Sequence, residues 1–175
     1  MAIGANPYNE GDHVNGLTPL AGRVAELLRE KKHQVAVAES SAGGLISAAL
    51  LAQAGASAYF VGGAVIYTRT SRDGLLGLTA EALGSIRSSS EAYASALASR
   101  IREKLGTTWG LSETGAAGPT GNRYGDAAGH SCIAVAGPIM RVITLETGLA
   151  DRETNMWAFT RAALELMERA LRDAR

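Results

Sequence analysis

The chain has 175 residues, 46% of them apolar, and its 17 Lys plus Arg are balanced by 17 Asp plus Glu. That length buries a core without disulfides or metals, and the charge balance excludes a global electrostatic footprint for nucleic acid or an anionic membrane surface. The lone cysteine, Cys132, excludes an internal disulfide and a multi-cysteine zinc site, and no apolar run reaches the roughly 18 residues of a membrane span.

Residues 1–18, opening MAIGANPYNEGDHVN, are polar and punctuated by Gly and Pro, which predicts a poorly ordered arm. They lack the basic and apolar regions of an export signal, so the expected location is cytoplasmic, with no nucleic-acid and no membrane partner. Residues 19–175 are expected to form one domain. Leu20, Val24, Leu27 and Leu28 share a face at helical spacing and predict a helix from Leu20 to Lys31. A short strand over Val35–Ala38 and an apolar, buried helix from about Gly43 to Gln53 follow. The segment AYFVGGAVIYT, residues 58–68, reads as two short strands or one bent at Gly62-Gly63, and RTSRDGLLGL after it has loop composition. Thr79 caps a short helix through Leu83, and Ser90 caps a longer one to about Leu105, with Tyr93, Leu97 and Ile101 as its core stripe.

Strand TTWGLSE then leads into TGAAGPTGNRYGDAAG, a glycine-rich loop of 16 residues. Loops of that length without structure of their own are often functional. HSCIAVA (130–136) and MRVITLE (140–146) predict a hairpin turning through Gly137 and Pro138. A helix over 151–172, with Met156, Phe159, Ala163, Leu166, Met167 and Leu171 inward, closes the chain. This order gives an α/β fold: a three-layer-like sandwich with a mixed β-sheet flanked by helices.

Two glycine-bearing turns, residues 39–44 and 114–121, each follow a strand. Glycine permits close backbone approach and a helix start offers unpaired N–H groups, so such a junction holds an anion or a developing oxyanion. The alternative is an ordinary connection in which Ser40 or Ser41 caps the helix. If the two strands are sheet neighbours, both turns converge at one end, where open α/β sheets place ligands. Glu39 and Glu113 each precede a turn and read equally as carboxylates bonded to turn N–H groups or as functional acids. Arg69, Arg123 and Arg141 read as solvated charges, Arg123 being the best placed for a phosphate. His13 and His33 read as surface residues, Trp109 and Trp157 as core or interface anchors, and Cys132 as a small buried strand residue.

Three motifs in order carry a resemblance that spans roughly residues 20–172. AESSAGGLISAALL is similar to an AESCTGGL turn, GGAVIYTRTSRDGLLGL to an RGFVTYSNEAKxxLLGV segment, and TGAAGPTG to a TGIAGPxGG loop, while Ser90-Glu91 falls at a VSEE position. These belong to the CinA C-terminal-domain family. The resemblance implies a nicotinamide-nucleotide amidohydrolase, which converts nicotinamide mononucleotide and water to nicotinic acid mononucleotide and ammonia, or a member acting on a related amide. It implies a small-molecule nucleotide substrate, no cofactor, no metal and a homo-oligomer. The molybdopterin-binding-like domain of longer members is not in this sequence, which therefore reads as a stand-alone deamidase-type domain.

Carried over by position, Ser40 is the nucleophile and Tyr67 assists protonation of departing ammonia. Backbone N–H groups near Gly43 and Gly44 face the oxyanion, with Glu39 and Ser41 in the same turn. Thr114, Gly115, Gly118, Gly121 and Arg123 close on the ribose phosphate. Four departures stand out. Arg72 replaces the family lysine, and a guanidinium cannot lose its proton at neutral pH, so it serves only as a fixed cation. Ser41 and Ala42 replace Cys and Thr, NRYGDAAGH lacks the family's KPVG, and His130 replaces Thr, which makes it a candidate base. A second reading is a catalytically inactive nucleotide-binding homologue. A third, a partner protein of a DNA-uptake or damage pathway, draws only on the family's name.

Overall fold

The computed structural model describes residues 14–174; of the expected arm over residues 1–18, the first thirteen lie outside them and the last five are helical. Five strands form one mixed sheet in the order β2-β1-β3-β4-β5. They are β1 (Val35–Glu39), β2 (Phe60–Val65), β3 (Trp109–Ala116), β4 (His130–Ala136) and β5 (Met140–Glu146). β1 runs parallel to β2 and β3, and β4 pairs antiparallel with both β3 and β5, so β4 alone opposes the other four strands. Helices α1 (Val14–Glu30), α2 (Leu45–Leu51) and α6 (Arg152–Asp173) cover one face; α5 (Glu91–Leu105) covers the other with the short α3 (Arg69–Ser71) and α4 (Ala80–Leu83). The result is the three-layer α/β sandwich expected from the element order.

Side-chain alternation along β1 builds both cores. Val35 and Val37 join the α1, α2 and α6 side, and Ala36 and Ala38 face α5. Small residues on that second face draw α5 in closely. A Cβ on Gly110 would lie 1.9 Å from the Ala98 carbonyl oxygen, so only glycine fits there. The Ser112 hydroxyl donates to the Ala94 carbonyl at 2.6 Å, which fixes the start of α5 against the sheet. Trp109, fully buried, donates its indole N–H to His33 Nδ1 at 3.1 Å. His33 is therefore a half-buried partner of the core rather than a free surface residue. Cys132 is buried in β4, and no helix among the described residues is long and apolar enough to cross a membrane.

Three elements differ from their sequence expectation. Helix α1 begins at Val14, because the fully buried Leu17 extends the apolar stripe one turn upstream, across Gly16 and Pro19. β2 is one strand without a bend at its glycine pair; the irregularity falls earlier, where Val35 pairs with Phe60 and Ala36 with Gly62. Gly63 is required instead by α2, since a Cβ there would lie 2.3 Å from Ser47 Oγ. Finally, RTSRDGLLGL is helical. Thr68 and Ser71 form a reciprocal capping box that starts α3, and a π-helical turn over Arg72–Leu76 continues to a left-handed Gly77.

Candidate active site

Because β1 and β3 are parallel neighbours, the turns that leave them emerge at the same edge of the sheet. They enclose a cleft of about 430 Å³. Ser40 comes from the first turn, Thr114 and Gly115 from the end of β3, Tyr67 and Arg69 from the chain after β2, and Asn122, Arg123 and Tyr124 from the long loop. Ser88, Ser89 and Tyr93, around the N-terminus of α5, complete it.

The first turn is fixed by two buried carboxylates. Glu39 accepts from the Ile46 and Ser47 N–H groups, both at 3.1 Å, and from Ser47 Oγ at 2.6 Å. It thereby caps α2, satisfying N–H groups that have no partner inside the helix. Neither Ser40 nor Ser41 is the cap, and Glu39, fully buried, does not line the cleft. Glu113 reaches across from β3: its Oε2 accepts from the Ser40 N–H at 3.1 Å and the Ala42 N–H at 2.8 Å, and its Oε1 from Ser131 Oγ at 3.1 Å. Burial pushes this carboxyl up to about 7, against the pull of the backbone bonds. Both glutamates thus hold the turn.

Gly43 and Gly44 have φ of 67° and 102°, so the turn requires glycine at both. A Cβ on Gly43 would lie 2.8 Å from Met156 Cε, which places Gly43 against α6 and not on the cleft wall. Its N–H bonds the Ser40 carbonyl, whereas the Ser41 and Gly44 N–H groups find no acceptor among the described residues. The Ser40 hydroxyl likewise makes no hydrogen bond among the described residues, and Ser40 lines the cleft.

The long loop is tied down by α6. Arg152 donates through Nη1 to the Gly118 carbonyl at 2.7 Å and through Nη2 to the Tyr67 hydroxyl at 3.1 Å, joining two segments that bound the cleft. Gly118 and Gly121 serve the loop's own folding: a Cβ would lie 2.4 Å from the Ala150 oxygen and 2.1 Å from the Asp126 oxygen, respectively, and neither residue lines the cleft. Arg69 and Arg123 do line it, and neither has a carboxylate partner among the described residues.

Residues 17–171 match the family model of the CinA C-terminal domain. The chain belongs to this family. A CinA-like protein of Nostoc sp. is 41% identical over 119 residues, covering 68% of this chain and 28% of that protein. One from Trichormus variabilis is 36% identical over 155 residues, covering 87% and 37%. The chain therefore spans about a third of the length of these relatives. The fold matches competence damage-inducible protein A of Klebsiella pneumoniae with a TM-score of 0.85 at 28% identity, covering 91% of this chain and 99% of that one. It matches competence/damage inducible protein CihA of Agrobacterium tumefaciens at 0.82 and 29%, covering 90% and 96%.

In this CinA domain two further positions singled out from the sequence lie away from the cleft. Arg72 is buried behind Tyr93; its Nε donates to Asp73 Oδ1 at 2.8 Å, and its Nη2, 2.7 Å from the same oxygen, is off hydrogen-bond angle and attracted by charge alone. Burial opposes its charge, but Asp73 and Tyr93 outweigh that and raise its pKa. His130 is also buried and does not line the cleft. Its Nδ1 meets the Glu146 carboxylate and its Nε2 lies 3.0 Å from the Ser89 carbonyl, with Asp126 at 3.9 Å. Acceptors at both nitrogens favour the protonated ring: burial lowers its pKa, but Glu146, the Ser89 carbonyl and Asp126 prevail and raise it. It anchors Ser89, whose φ is 55°, and is no base for Ser40.

Sequence reasoning missed Arg152, Tyr124, Ser88, Ser89 and Asn122 as parts of the site. The N-cap position of Ser90 hinted at Ser88 and Ser89, since it brings the start of α5 to the cleft, and the length of the glycine-rich loop hinted at Asn122 and Tyr124; nothing local pointed to Arg152.

Proposed function

We propose that this CinA C-terminal domain hydrolyses the amide of a pyridine nucleotide, nicotinamide mononucleotide plus water giving nicotinic acid mononucleotide plus ammonia. The observation that carries the reading is that the two motif turns meet at one cleft, with the Ser40 hydroxyl free of protein partners and two arginines that lack a carboxylate. Ser40 Oγ attacks the amide carbon. The adjacent Ser41 N–H, which has no acceptor among the described residues, donates to the oxyanion, and Tyr67, oriented by Arg152, assists by donating a hydrogen bond to the amide group as ammonia departs. Arg69 and Arg123, with Thr114 and Gly115, receive the phosphate. The reading takes residues 19–175 as one catalytic unit that self-associates in the cytoplasm.

Purified protein given nicotinamide mononucleotide should release ammonia, and the Ser40→Ala variant should not; equal background from both would remove the proposal. A second reading, nucleotide binding without hydrolysis, is favoured by the placement of Arg72 and His130, since neither supplies a base to the cleft. Calorimetric binding without product is its required result.

A further inference from the structure

An activated serine needs a group to take its proton, and the structure removes the obvious ones. Glu39 and Glu113 hold the first turn, His130 is engaged at both nitrogens, and Arg72 is a buried cation behind the wall. The titratable side chains that line the cleft are Tyr67, Tyr93, Tyr124, Arg69 and Arg123. Arginine cannot accept a proton, which leaves the three phenols.

Their surroundings differ. Tyr67 is largely exposed and paired with one guanidinium, and Tyr93 is buried against Arg72. Tyr124 is surrounded by cations. Its hydroxyl accepts from Arg123 Nη2 at 2.8 Å, and Arg69 and Ser88 line the same cleft, close enough to favour its ionised form. The Arg123 and Arg87 guanidiniums lie 5.0 and 5.6 Å from its ring centroid. Every one of these groups favours the phenolate over the phenol.

We infer that Tyr124 is the proton-transfer residue of this cleft, its phenolate taking the proton of Ser40 during attack. The inference rests on the amidohydrolase reading. As the Ser40 Oγ–carbon bond forms, the serine proton passes to the Tyr124 oxygen. As the carbon–nitrogen bond breaks, that proton goes to the amide nitrogen, which leaves as ammonia. Water then attacks the acyl ester, gives one proton to the phenolate and its oxygen to the acid product, and the proton returns to Ser40. The pKa of the phenol is held below its ordinary value, chiefly by Ser88 and Arg123, against the effect of burial.

Two assays test this with wild type, Tyr124→Phe and Arg123→Gln: ammonia release from nicotinamide mononucleotide, and inactivation by phenylmethanesulfonyl fluoride, in which Ser40 displaces fluoride whatever the natural substrate. Tyr124→Phe should lower kcat and the sulfonylation rate by roughly 100-fold or more with little change in KM. It should also abolish the acidic limb of both pH profiles, and Arg123→Gln should move that limb upward. If wild type is sulfonylated at Ser40 with a Tyr124-dependent limb but releases no ammonia, the substrate reading fails and Tyr124 stands. Rates and pH profiles unchanged in Tyr124→Phe would overturn the inference, as would a Ser40 inert to the probe at every pH.

Discussion

Around residues 39–44 the chain is held by two fully buried carboxylates that take hydrogen bonds from the turn and from the start of α2, whereas the loop between its anchored ends, residues 118–126, hangs chiefly on guanidiniums at the surface. Arg87 pairs with Asp126 through two bonds at 2.7 and 3.0 Å, its side chain 43% exposed. Arg152, also exposed, supplies the second tie. Buried hydrogen bonds to a carboxylate break only at the cost of stranding polar groups; exposed ion pairs exchange readily with water and salt. The cleft therefore has a fixed wall, which carries Ser40, and an adjustable wall, which carries Arg123 and Tyr124. The difference assigns pre-organisation to the nucleophile and accommodation to the side that meets the variable part of a substrate.

The largest effect should come from breaking the fixed wall. Glu113→Ala strands the Ser40 and Ala42 N–H groups and should cost about 3 kcal/mol or more, read as a lower midpoint in urea unfolding. Glu113→Gln keeps an acceptor for both N–H groups and should be nearly neutral at acid pH. Both variants also lose a pH dependence that wild type has. The folded carboxyl is raised from 4.5 to about 7, so its contribution is fully present below about 4.5 and is lost as pH rises through 7. That swing is about 3 kcal/mol by the usual conversion, and Glu113→Gln should erase it.

Smaller effects should mark the adjustable wall. Arg152→Ala removes two bonds made by an exposed guanidinium and should cost about 1 kcal/mol. Amide exchange should quicken at 66–68 and 117–120 while that of 40–47 stays as in wild type; acceleration throughout would deny that the walls are independent. A double-mutant cycle of Arg87→Ala and Asp126→Ala should give a coupling of at most about 1 kcal/mol that falls with added salt. The smallest is the His130 contact, because its partner Glu146 is 57% exposed. His130 faces Glu146, Asp126 and Cys132, with Arg87 beyond Asp126. Its raised pKa means that its contribution is whole below 6.5 and disappears as pH rises through the folded value. Unfolding midpoints of His130→Gln should approach those of wild type at alkaline pH.

The contrast between the walls also explains what could be read from the sequence. β4 and β5 were legible residue for residue, because apolar runs end cleanly at Gly137 and Pro138; so were the Thr79 and Ser90 caps, which act within three residues. Helix α3 was hidden because its capping box uses Ser71 where Glu is usual, and because Gly74 and Gly77 give the segment a loop's composition. The periodicity of Tyr93 correctly indicates a core face but not that the residue also lines the cleft. The roles of Glu113, Arg72 and His130 are set by contacts that no local pattern contains. Glu113 meets a turn more than 70 residues away, and His130 meets a carbonyl 41 residues away.

The central claim, that both walls close on one nucleotide, is tested most directly by a crystal structure of Ser40→Ala soaked with nicotinamide mononucleotide. The expected map shows the amide carbon over residue 40 and the phosphate between Arg69 and Arg123. A nucleotide seated elsewhere on the domain, or a phosphate remote from both arginines, would contradict it.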